Sequence, residues 1–65
     1  MKIQMQRDVS VEVYNPRLEE TFDRQLKKWD TIVVETMEPL GKTSDLAVYG
    51  DLIYLGVPTD SFRQV

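Results

Sequence analysis

The chain has 65 residues, with 8 Lys and Arg against 11 Asp and Glu for a formal charge of −3, and it contains no cysteine and no histidine. A disulfide framework is thereby excluded, and the usual zinc and haem ligand sets are missing, so stability must come from packing or from a partner chain. The cations are scattered rather than clustered on an acidic background, which disfavours nucleic acid as a partner.

A single small domain over residues 1–65 is expected, near the lower limit at which a hydrophobic core alone offsets chain entropy. No apolar run has bilayer length and Met1–Ser10 lacks the stretch of a secretory signal, so the expectation is a soluble, cytoplasmic protein with no membrane contact. In chain order, Ile3 and Met5 alternate with Lys2, Gln4 and Gln6, and Val9, Val11 and Val13 alternate with Ser10, Glu12 and Tyr14. That period of two is the mark of strands with one buried face. Asn15–Lys28 reads locally as a helix: Asn15 suits an N-cap, Pro16 the first turn, and Leu18, Phe22, Leu26 and Trp29 fall on one helical face. "TIVVETM" at Thr31–Met37 is β-branched and apolar enough for a mostly buried strand, closed by Pro39 and Gly41. "LAVYGDLIYLG" reads as a hairpin turning at Gly50–Asp51, with Tyr49 and Tyr54 facing each other across it. Uniform alternation puts Val11, Val13, Ile32, Val34, Ile53 and Val57 inside.

Three short motifs then carry a family resemblance. "EVYNP" at Glu12–Pro16, "LKKWD" at Leu26–Asp30 and "VPTDSF" at Val57–Phe62 follow one another at intervals that resemble those of the Src-homology-3-like (SH3-like) barrels. The resemblance implies a mainly β fold, a small five-stranded barrel in which Asn15–Gln25 is an irregular hairpin loop. The alternative, from the helix signals, is an α+β domain with a helix at about 15–28 packed on a small antiparallel sheet. The family's proline-peptide groove carries over only in part. Tyr14, Pro58 and Asp23 match groove positions, whereas Pro16 and Ser61 stand where groove tyrosines belong and the third-strand tryptophan has no counterpart. Proline-rich peptides are therefore not the expected ligand. Trp29 stands where the family commonly has a turn glycine.

No catalytic site is expected, since the serines have no histidine base, there is no thiol, and the three glycines are isolated. Nor is a metal or cofactor site, because the carboxylates lack calcium-loop spacing and read as a solvated face. The expected function is a non-catalytic protein-interaction or regulatory module, binding another protein through an aromatic and acidic face made of Tyr14, Asp23, Trp29, Pro58 and Phe62. The alternative is a self-associating structural subunit that extends a sheet through an edge strand at Lys2–Val13 or through the exposed aromatics. For Trp29 the bland reading is a ring that covers the barrel end or packs on Leu26, and the sharp one is an exposed anchor.

Overall fold

The computed structural model describes residues 1–65 and contains seven strands: β1 (Lys2–Met5), β2 (Val9–Asn15), β3 (Glu20–Leu26), β4 (Thr31–Pro39), β5 (Thr43–Val48), β6 (Leu52–Pro58) and β7 (Phe62–Gln64). Between β6 and β7 lies one turn of 3-10 helix at Thr59–Ser61. The fold is mainly β, as the alternating segments require. No helix is long and apolar enough to cross a membrane.

All pairings are antiparallel, in the order β3-β2-β6-β5-β4-β1-β7. The expected five-stranded barrel is not what forms: β3 and β7 are the edges of an open seven-stranded sheet, each paired on one side only. The edge expected at Lys2–Val13 is overturned by the same order, since β1 and β2 each have neighbours on both sides. The sheet nevertheless encloses one core on one face, because Ile3 and Met5 of β1 join Val11, Val13, Leu26, Val34, Leu46, Val48, Tyr54 and Val57 in a single buried cluster. A row of side chains crosses that face through Phe22, Val13, Tyr54, Leu46 and Met37, each directly opposite the next. Directly opposed residues point to the same side of a sheet, so the row extends from the buried core out to the edge strand.

Asn15–Lys28 is neither a helix nor an irregular loop. It is a regular hairpin in which β2 and β3 pair without a break from Asn15↔Glu20 to Val9↔Leu26. The side chain of Asn15, suited to a helix N-cap, instead closes the turn, its Oδ1 accepting the Arg17 amide at 3.0 Å. The same short-range chemistry serves both motifs. Glu19 completes the turn at φ 52°.

Two bulges set the faces of the later strands: the one on β6 reverses the expected face of Ile53, and the one on β4 lies in a strand that is mostly exposed, with only Val34 buried, rather than mostly buried as expected. On β6, Leu55 and Gly56 lie opposite the single residue Asp45, and Gly56 adopts φ 63° with its amide donating to Asp45 Oδ1 at 2.9 Å. The extra residue reverses parity along the strand. Tyr54 therefore faces inward together with Val57, and Ile53 is turned to the outer face, contrary to expectation. On β4 the register slips at Glu35, so that Ile32 and Val34 before it and Met37 after it all pack on the core. Tyr49 and Tyr54 do not face each other: Tyr49 belongs to the turn and is exposed, while Tyr54 is buried opposite Leu46. Gly50 and Asp51 take positive φ there, 96° and 63°, as the turn chemistry predicts.

Candidate functional site

The turn joining β3 to β4 is the most constrained irregular segment of the chain. Asp30 donates its amide to the Lys27 carbonyl at 3.0 Å, closing a four-residue turn with Lys28 and Trp29 in its centre. The other amides are also spent: Lys27 N donates to Asp30 Oδ2 at 3.0 Å, Lys28 N to Asp8 Oδ1 at 2.7 Å, and Trp29 N to the Met5 carbonyl at 2.9 Å. Met5 in return donates to the Asp30 carbonyl at 2.8 Å. At the third position of this turn Trp29 has φ 78°, a value that a type II turn requires and glycine ordinarily supplies. A bulky residue in the left-handed region is disfavoured by roughly 1–2 kcal/mol, and only a surround this over-determined can hold it there.

The ring gains little in exchange. Trp29 is 60% exposed and lies outside the core cluster, which removes the reading of it as a core or barrel-end cover. The Lys28 ammonium lies 4.8 Å from the ring centroid, an exposed cation–π pair worth about 0.5–1 kcal/mol.

The other residues expected at the site are divided. Tyr14 and Asp23 share the outer face of the β2–β3 hairpin, Tyr14 lying opposite Thr21 and Asp23 opposite Glu12. Phe62 opens β7, opposite Met5, and is packed against the core. Since Trp29 donates to that same Met5, Trp29 and Phe62 both flank β1. Pro58 ends β6 and lines a polar groove with Lys42, Thr43, Thr59 and Asp60. No backbone pairing or hydrogen bond joins Tyr14 or Asp23 themselves to Trp29, Pro58 or Phe62. Ser61 is fully buried and donates to the Pro58 carbonyl at 2.6 Å.

An open groove of about 380 Å³, which no periodic pattern in the sequence announces, lies on the outer face. Its floor is Thr36, Ala47 and Ile53, and its rim carries Arg17, Glu35 and Asp51. Two hairpin turns stand side by side over it, with Arg17 Nη1 at 3.9 Å from Asp51 Oδ2. Both charges are exposed, so this pair positions little. The signal for the groove was the bulge glycine that turns Ile53 outward. Acidic side chains nowhere gather in threes in a way that could ligate a metal ion. No family model, no curated protein and no solved structure matches the chain.

Proposed function

We propose that this protein is a non-catalytic protein-interaction module whose anchor is Trp29, carried on an open antiparallel sheet rather than on a proline-binding barrel. The observation that carries the proposal is a tryptophan kept in a glycine conformation, on a turn whose every amide is hydrogen-bonded, with more than half of its surface exposed. Strain retained without a packing return is the signature of a residue held for contact, and a rigid, exposed tryptophan is the side chain best able to carry interface energy at small entropic cost. Phe62 lies across β1 from it, while Tyr14 and Asp23 offer an aromatic and acidic surface at the other end of the sheet.

The test is Trp29→Gly, which keeps the amide donated to Met5 and suits the φ of 78°. An anchor predicts a stability change within about 1 kcal/mol, because relief of the strain offsets the flexibility of glycine. Partner capture from the native host should be lost. A structural ring predicts instead a loss of about 3–5 kcal/mol, as for truncation of a packed aromatic. Thermal unfolding of the variant separates the two, and a folded variant that still captures its partner moves the site to Tyr14 and Asp23.

A further inference from the structure

Edge strands are ordinarily blunted by lysine, proline, a bulge or extreme shortness, because their free amides and carbonyls are a template for another strand. At one end of this sheet, β7 is three residues long. At the other end, β3 is seven residues long, contains neither lysine nor proline, and pairs with β2 in unbroken register, so that its only protection is charge, from Glu20, Asp23 and the core-facing Arg24. Every residue from Glu20 to Gln25 is exposed. Phe22, which ends the side-chain row that crosses the core face, is 42% exposed with no neighbour beyond it.

The charges of the strand itself, Glu20, Asp23 and Arg24, select the occupant of this edge. Two copies related by a two-fold axis normal to the sheet would pair antiparallel, with the axial residue opposite its own copy and the residues on either side of it opposite each other. An axis at Asp23 sets carboxylate against carboxylate, and one at Arg24 sets guanidinium against guanidinium, both destabilising when directly opposed. An axis at Phe22 sets ring against ring, Thr21 opposite Asp23, and Glu20 opposite Arg24 on both sides. Arg24 commits Nη1 to the Tyr54 hydroxyl at 2.8 Å, and its fork retains further donors for a carboxylate. We propose that a second copy of this chain pairs along β3 with Phe22 on the two-fold axis, forming one continuous sheet across the dimer.

This inference is independent of the Trp29 reading. The contact is one strand deep and belongs to the small, transient class, so sedimentation equilibrium is run from about 10 μM to about 1 mM. The expected result is a mass rising from one chain to two, unchanged by Trp29→Gly and shifted at least about tenfold to higher concentration by Glu20→Arg, which opposes two guanidiniums. Because the chain has no cysteine, Phe22→Cys and Asp23→Cys each introduce a sole thiol that reports the register. Oxidation should yield covalent dimer from Phe22→Cys and much less from Asp23→Cys. The mass of one chain throughout, or equal or greater cross-linking from Asp23→Cys, overturns the proposal. In the first case the Trp29 module still stands as a monomer.

Discussion

Ile53 and Leu46 are near neighbours with opposite fates. Leu46 is fully buried between Tyr54 and Met37, whereas Ile53 forms the floor of an open groove between Tyr14 and Ala47. Leu46→Ala should therefore cost about 2–5 kcal/mol, a large part of the stability of so small a domain. Ile53→Ala should cost less than about 1.5 kcal/mol, since its side chain is only partly removed from water. Chemical denaturation of the two variants checks the order, and an Ile53 variant as damaged as the Leu46 one would mean that the β6 bulge is absent. Tyr54 adds a polar handle to the same row by accepting from Arg24. Tyr54→Phe should lose about 1 kcal/mol, because the freed guanidinium stays at the exposed edge and is rehydrated.

What could be read from the chain at the scale of elements depended on whether local chemistry had one meaning or two. The Val9–Val13 alternation is a strand under any fold, and Gly50–Asp51 is a turn because few residues accept positive φ. Asn15–Pro16 has two meanings, a helix start or a hairpin turn, and the side-chain bond of Asn15 is the same in both. β3 gave no pattern of its own, since a strand lying beyond the core has nothing to bury until Leu26. The bulges hid for a different reason: they are single-residue events that reverse every following side chain. Of the site, the spacing that resembles SH3-like barrels pointed to Trp29 as standing at a glycine position, and its φ gives that oddity a cause, whereas the outer groove needed the bulge. Gly56 is the residue to alter. A Cβ there meets nothing within 4 Å, so Gly56→Ala should cost only the left-handed strain of about 1–2 kcal/mol. Asp45→Ala, which frees an exposed amide to water, should cost less than Gly56→Ala in the same unfolding measurement.

At the scale of the molecule, the sheet order makes the two edges unequal partners of one core. β1, β2, β4, β5 and β6 lie between neighbours on both sides, and the buried cluster draws from each. β3 is held by β2 alone and contributes only Leu26 to that cluster. Native-state hydrogen exchange should accordingly be slowest in β5 and β6 and fast along β3 in dilute protein, because opening an edge strand breaks few buried contacts. Pairing of two copies through that edge adds a dependence on concentration. The alternate amides of Glu20–Leu26 that point away from β2 would acquire partners, so their exchange should slow as the protein is concentrated, while the amides at Lys27–Asp30, already bonded within one chain, keep their rates. Exchange measured at low and high concentration thus assigns each surface its role. Protection rising only in β3 places the second copy on that edge and leaves Trp29 open to a different partner. Protection rising at Lys27–Asp30 with β3 unchanged would mean that the tryptophan turn itself is where copies of this chain meet.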